Sequence, residues 1–327
     1  MLASLPLSCA ELTLGQQTLI SAFIVVAALW LDRWLGEPNR YHPLVGFGRL
    51  ASRIEALCRC CPRLSAKQQG AVAWFIMVMP FTLLTYLLLA WVSQLSLYLW
   101  LVLNAVILYL TIGGKSLIQH AHNIYRPLKA GNIVQARYHV SMIVSRNTDK
   151  MGEQEITSST IESVLENGND AVFAPMFWFL ILGAPGAVLF RLANTLDAMW
   201  GYKNQKYLHF GCFSAKTDDA LGWFPARITA LTYALQGDFY SAMQCWREQA
   251  KKCSSPNGGV VMTSGAGALR IKIGGPTYYD NVLHDKEPMG IGEPAQWPAI
   301  AAANQLVSRG SFMLSYLWLM CVIVGVS

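Results

Sequence analysis

Between residues 146 and 227 the chain gathers acid, amide and arginine side chains, while the segments around them are mostly apolar. Glu162, Glu166 and Asp170 are spaced i, i+4, i+8, which on a helix puts three carboxylates on one face. Like charges at that spacing repel, so the face gains from a bound cation or a basic substrate group. Asn167 and Asn169 beside them can orient a phosphate or an amide. Asn194 and Asp197 stand about one helical turn apart. Asp218-Asp219 precede Pro225-Ala226-Arg227. Adjacent carboxylates suit a hard cation such as magnesium, which takes oxygen ligands and phosphate co-ligands. Plainer readings compete. Asp218-Asp219 reads equally as a helix N-cap with a first-turn acid, and Glu162–Asp170 as a solvated acidic face. The entry of that segment into an apolar stretch at Ala171 favours a site over open water. Ser255-Pro256-Asn257-Gly258-Gly259 offers backbone N–H groups that can cradle a phosphate or carboxylate, or it is a turn-rich linker. It is not a Walker loop, because no Gly-Lys-Ser/Thr follows.

The elements that must position these groups lie in a membrane. Of 327 residues, 54% are hydrophobic and 13% charged, against about 25% charged in a soluble domain. Residues 17–31, 70–92, 96–112 and 311–326 are apolar runs near the roughly 20 helical residues that span a bilayer, and the first helix is expected to continue to Leu35. The 25 Lys and Arg fall in three blocks, with 7 in residues 33–67, 6 in 114–170 and 12 in 191–309. Cytoplasmic loops carry the Lys/Arg excess, which places all three blocks inside. The formal net charge of +6 then reflects topology and anionic lipid headgroups, with no nucleic-acid partner implied. Ala171–Phe190 would break this scheme if it crossed the bilayer. Gly183-Ala184-Pro185-Gly186 at its middle is a turn signal, so the stretch is expected to be a re-entrant or interfacial helical hairpin.

The expected fold is therefore an all-α integral membrane protein. It has about four transmembrane helices, a re-entrant or interfacial hairpin over 171–199, and a cytoplasm-facing helical layer. We expect a single membrane-embedded domain over 1–327, with a three-span part at 1–113, a cytoplasm-facing catalytic part at 114–309 and a last span at 310–327. Residues 44–57 read as an amphipathic surface helix. Further helices are expected at 116–128, 133–144, 153–167, 226–235 and 239–251. Residues 254–294 are expected to hold little regular structure beyond a helix near 260–269. The eight cysteines read as ordinary reduced thiols, and the histidines at 42, 120, 122 and 139 form no metal-ligand pattern.

Several strings together resemble the CobD/CbiB family of cobalamin biosynthesis proteins. They are Leu31-Asp32 through Gly36-Glu37-Pro38, His42-Pro43-Leu44-Val45-Gly46, Ser145-Arg146-Asn147-Thr148, Glu162 through Asp170, Arg191 through Tyr202, Asp218-Asp219, Pro225-Ala226-Arg227 and Ser255-Pro256-Asn257. They cover about residues 30–293. The resemblance implies a multi-pass protein of the bacterial cytoplasmic (inner) membrane with its active face in the cytoplasm. It implies amide formation between the free propionate of adenosylcobyric acid and (R)-1-amino-2-propanol or its O-phosphate, giving adenosylcobinamide or its phosphate. ATP and magnesium are the expected cofactors, with a corrinoid as substrate. The expected partners also include a further copy of this chain or other cobalamin-pathway enzymes.

The residues suit such chemistry. A carboxylate and an amine condense only after activation, and phosphorylating the carboxylate requires charge clamps on the nucleotide. On this reading Glu162, Glu166, Asp170 and Asp197 are the catalytic candidates, with Glu166 as the base for the attacking ammonium. Arg146 and Arg227 would neutralise phosphate charge. Thr148, Asn167, Asn169, Asn194, Ser255 and Asn257 would bind substrate or phosphate, and Asp218 and Asp219 would hold the metal. The chain departs from the family pattern at Asn147, where an Asp is common, and at Gly222, where an Asn is usual. A non-catalytic membrane sensor of the related AmpE type is the alternative, although a scaffold has no need of the acid and amide strings. A transporter would need charged groups inside its spans.

Overall fold

The computed structural model describes residues 13–38, 43–144, 147–275, 277–279, 282–284 and 287–326. Twelve α-helices account for most of it: α1 Leu14–Leu35, α2 Pro43–Arg59, α3 Ala66–Leu95, α4 Leu97–Thr111, α5 Gly114–Lys129, α6 Ile133–Ser141, α7 Glu153–Gly168, α8 Ala174–Trp200, α9 Cys212–Ala234, α10 Phe239–Gln249, α11 Gly258–Leu269 and α12 Pro298–Val326. Five helical segments are long and apolar enough to cross a membrane: Gly15–Leu35, Ala66–Leu95, Leu97–Lys129, Glu153–Trp200 and Pro298–Gly325. The all-α membrane architecture is thus present. Four of these segments coincide with the expected spans to within a residue at the ends that fall short, and α1 does run on to Leu35. The fifth contains the expected hairpin.

Local chemistry sets the helix starts. Thr13 and Ser65 open α1 and α3 with reciprocal capping boxes to Gln16 and Gln68, which satisfies amide donors that a helix start leaves orphaned. Ser96 closes α3 in extended conformation and caps α4 through Leu99 N.

The fifth segment is bent rather than straight. At Gly183 the backbone takes φ 67°, ψ −162°, a left-handed excursion that glycine makes without steric cost. Three residues on, a Cβ placed on Gly186 would lie 3.1 Å from the carbonyl carbon of Trp178 and 2.6 Å from Leu182 Cβ. Residues eight apart on a straight helix are separated by about 12 Å of rise. The chain therefore turns back on itself here, and a side chain at 186 would wedge the two legs apart. The indole of Trp178 donates to Leu221 O at 3.0 Å.

The chain clusters into two compact units. The first combines residues 1–112, 174–221 and 315–327, so hairpin residues 174–199 group with the N-terminal spans. Its core packs Phe47 and Ala51 of α2, Trp74 and Met77 of α3, and Leu196 and Trp200 of α8. The second combines residues 113–173 and 222–314. Its centre is α11, buried from Gly258 to Ala268 and tied to α9 by Ser264 Oγ donating to Ala230 O at 2.7 Å.

Two expectations are corrected. Residues 271–294 hold short strands: β1 Ile271–Ile273, β2 Thr277–Tyr279, β3 Val282–His284, β4 Met289–Gly290 and β5 Glu293–Pro294. Strand β1 pairs antiparallel with β4 and parallel with β5, while β2 pairs antiparallel with β3. Runs of two or three residues are too short to show periodicity. Helix α9 begins at Cys212 rather than near residue 226 and carries Pro225 in its interior. Asp218 and Asp219 therefore sit within a helix and are not its N-cap.

Candidate functional site

In the second unit, helix α7 carries the acidic string, and its register changes just past the helix. Residues Asn169–Phe173 form a π-turn, the kind of single wide turn that recurs at functional sites. Glu162 and Glu166 keep their i, i+4 relation on α7. Asp170 lies in the wide turn and leaves the straight helical register that the spacing implied. The turn is held from α9. Asn169 is buried, accepts from Thr229 Oγ1 at 2.9 Å and donates to Asp170 Oδ1 at 2.8 Å. Tyr233, also buried, donates to Leu165 O at 3.2 Å. Burial, with the charge of Asp170 nearby, pushes the Tyr233 hydroxyl far above its ordinary pKa and keeps it a donor. Asn169 thus positions Asp170 from a buried seat.

The three carboxylates have different surroundings. Glu162 is buried; its Oε1 accepts from Ser158 Oγ at 3.0 Å and from Gly274 N at 3.1 Å, clamping the segment after β1. Glu166 and Asp170 are half-buried. A Cβ on Gly258 would overlap Glu166 Oε1 and lie 3.0 Å from its Cδ. The Glu166 carboxylate therefore rests against the first turn of α11, where helix N-termini favour negative charge. Ser255 Oγ caps that turn by accepting from Gly258 N at 2.9 Å.

Arg227 stands on α9, held in a fixed pose. Its Nη1 donates to Asn257 Oδ1 at 2.7 Å and to Trp223 O at 2.9 Å, its Nη2 lies 3.4 Å from Pro256 O, and its guanidinium lies 4.3 Å above the Trp223 ring. Burial lowers its pKa from the usual arginine value. Asn257 is buried, and a Cβ at residue 222 would sit 2.8 Å from its Nδ2. That contact gives a physical reason for glycine at 222, since any side chain there competes with Asn257 for space. Asn167 is exposed and donates to Ser163 O and Oγ. Thr148 is buried in the loop before α7, with its carbonyl accepting from Met151 N at 3.2 Å. Asn147 Oδ1 accepts from Asp149 N at 2.8 Å, a local turn contact. Arg146 lies outside the described residues.

In the first unit, Asn194 of α8 donates to Asp218 Oδ1 of α9 at 3.2 Å. Asp219 follows on the same helix; burial pushes its carboxyl above the usual range, and Lys203 partly opposes the shift. Asp197, half-buried, lies one turn after Asn194. These donors are all oxygens, the type magnesium prefers. Among the described residues no three His, Cys, Asp or Glu groups converge on one point. Asp218 and Asp219 are neighbours inside α9, where successive side chains point about 100° apart, so a cation there would be held by one carboxylate and complete its shell with water and substrate phosphate oxygens.

The structure therefore groups Glu166, Asp170, Asn169, Arg227, Ser255 and Asn257 in one unit and Asn194, Asp197, Asp218 and Asp219 in the other. Sequence reasoning missed Trp223, Thr229, Tyr233 and Ser158. The pairs Trp223–Arg227 and Ser158–Glu162 are i, i+4 and were open to detection. Thr229 and Tyr233 carry no such local signal.

The CobD/Cbib protein family profile matches residues 25–307. The cobalamin biosynthesis protein CobD of Chromobacterium violaceum is 47% identical over 309 residues, covering 93% of this chain and 97% of that protein. The protein of the same name from Stutzerimonas stutzeri is 45% identical over 312 residues, with 94% and 98% covered. That of Halalkalibacterium halodurans is 38% identical over 279 residues, with 83% and 86% covered. No solved structure matches the chain significantly. With the profile running through both units, and with relatives matched over nearly their full lengths, this chain belongs to the CobD/CbiB protein family.

Proposed function

We propose that this protein acts in cobalamin biosynthesis as an amide-forming ligase of the bacterial inner membrane, working from the cytoplasmic face. It joins (R)-1-amino-2-propanol or its O-phosphate to the free propionate of adenosylcobyric acid. ATP phosphorylates the propionate, giving an acyl phosphate and ADP. The amine then attacks the acyl carbon, the C–N bond forms, inorganic phosphate leaves, and the ammonium proton passes to a base.

The observation that carries this reading is the arrangement around α11. Arg227 is locked by Asn257 and Trp223 in a fixed pose suited to bidentate phosphate contact. Glu166, half-buried at a helix start, is the group we assign to take a proton from the substrate ammonium so that the free amine can attack. Asp170, aimed by Asn169, is assigned to hold the ammonium before attack. Glu162 is assigned a positioning role through Gly274. Asp218 and Asp219 remain assigned to magnesium, which would supply charge neutralisation on phosphate oxygens, on the family resemblance alone. Arg146, Thr148, Asn167, Ser255 and Asp197 remain assigned to substrate contact or catalysis on the family resemblance alone.

The test is reconstitution of the detergent-solubilised protein with adenosylcobyric acid, ATP and each amine, following product mass and ADP release. Amide product with one amine, lost in Glu166→Gln, is the expected result. A folded protein that makes no product with either amine would favour the sensor reading.

A further inference from the structure

The first unit holds an open cavity of about 480 Å³, within the range of roughly 300–1,000 Å³ typical of ligand sites. It lies between α2, α3, α4 and α8, with walls that include Phe47, Leu50, Phe81, Leu84, Leu110 and Leu192. Three of its walls, α3, α4 and α8, belong to segments apolar enough to cross a membrane, and Leu84 is 63% exposed. The cavity is therefore accessible from the hydrocarbon side of those helices. None of the groups assigned to amide formation lines it.

Its polar features lie at particular places. Among the described lining residues Arg191 is the charged one, 3.9 Å from Glu37, and Thr85 and Thr111 are the only uncharged polar ones. Along α2, Gly46 and Leu50 line the cavity and Arg53 is exposed. Positions 46, 50 and 53 follow i, i+4, i+7 spacing and share one helical face. That face passes from an apolar wall to a guanidinium within two turns. Arg49, also exposed, lies one residue from Leu50. The pattern complements an amphiphile with an apolar chain and an anionic head, because basic groups beside a membrane attract anionic headgroups.

We propose that this cavity is a binding site for an anionic phospholipid, one acyl chain filling it and the phosphate resting toward Arg53 and Arg49 of α2. The site stands apart from the ligase reading and holds whether or not that reading survives. Gly46 gives a clean way to close it. A Cβ there meets no atom within 4 Å, and leucine is a far better helix former than glycine, so Gly46→Leu fills the cavity without disturbing the fold.

The experiment is native mass spectrometry of the full-length protein in detergent, titrated with dioleoyl phosphatidylglycerol or dioleoyl phosphatidylcholine. The wild type is expected to bind one phosphatidylglycerol at least tenfold more tightly than phosphatidylcholine. Gly46→Leu is expected to weaken phosphatidylglycerol at least tenfold, and Arg53→Ala to erase most of the preference between the two lipids. Equal binding of the two lipids by the wild type, or unchanged phosphatidylglycerol binding by Gly46→Leu, overturns the proposal. Displacement of bound lipid by adenosylcobyric acid would assign the cavity to that substrate and also overturn it.

Discussion

Substituting Gly258 by alanine tests the placement of Glu166 with a single methyl group. The new Cβ would lie 3.0 Å from Glu166 Cδ, whereas carbon atoms rest about 3.5–4.0 Å apart. The carboxylate must retreat by roughly 0.5–1 Å. It is the far end of a flexible side chain, so the move costs the fold little. Ser255 Cβ, at 3.2 Å, must give by a few tenths of an ångström. The helix propensity gained by alanine over glycine, up to about 1 kcal/mol in a helix interior, offsets that. The thermal midpoint in detergent should therefore match or exceed wild type. A misplacement of about 1 Å at reacting groups costs on the order of 100-fold in rate, or about 2.7 kcal/mol. We expect kcat/KM for amide formation to fall by that factor in Gly258→Ala. Adding Glu166→Asp, which withdraws the carboxylate, should give a double variant more active than the product of the single effects, as contacting residues do. Wild-type turnover in a folded Gly258→Ala protein would refute the placement of Glu166 in the reaction.

Three further outcomes follow from the geometry. Asp219 has a raised pKa because of burial, so the folded state holds its proton more tightly than the unfolded chain, and stability falls as pH rises through the folded pKa. In metal-free buffer Asp219→Asn should then be more stable than wild type at neutral pH, with the stability gap closing as pH drops below about 4; a gap constant from pH 3 to 8 would count against a buried Asp219. Arg227→Lys loses the planar fork that bonds Asn257 Oδ1 and Trp223 O, and the stack on Trp223. A charge-assisted bond is worth about 1.5–3 kcal/mol, so KM for the phosphate-bearing substrate should rise roughly 10- to 100-fold with less effect on kcat. Thr229→Val removes the buried hydroxyl that Asn169 Oδ1 shares with Pro225 O and should cost about 1–3 kcal/mol of stability, read as a lowered thermal midpoint.

The spans and the amphipathic helix were legible because hydropathy and 3.6-residue spacing act locally. The turn at Gly183 was legible because a Gly-Ala-Pro-Gly string disfavours a straight helix whatever its surroundings. The start of α9 was not. Residues 212–225 mix Lys, Asp and Gly before an internal Pro225, a composition that local rules assign to a loop. The wide turn at Asn169 was hidden for another reason. It is set by Thr229 and Tyr233, sixty or more residues away, and without them the acidic spacing reads as an unbroken helix. The acid and amide residues stand out in the sequence by type, but which carboxylate is clamped and which is left half-buried depends on Gly274 and Gly258, contacts that no spacing reveals.

The wide turn also bears on how the second unit opens. Because Leu165 O accepts from a tyrosine hydroxyl and Asn169 is pinned by a threonine, the end of α7 cannot fray alone. Local opening there must carry α9 with it. Backbone amides near residues 166–173 and 229–236 should exchange with solvent deuterium as one cooperative group. The segment that presents Glu166 and Asp170 would then be present as a whole or lost as a whole, with no partly frayed form in which one carboxylate keeps its place and the other drifts.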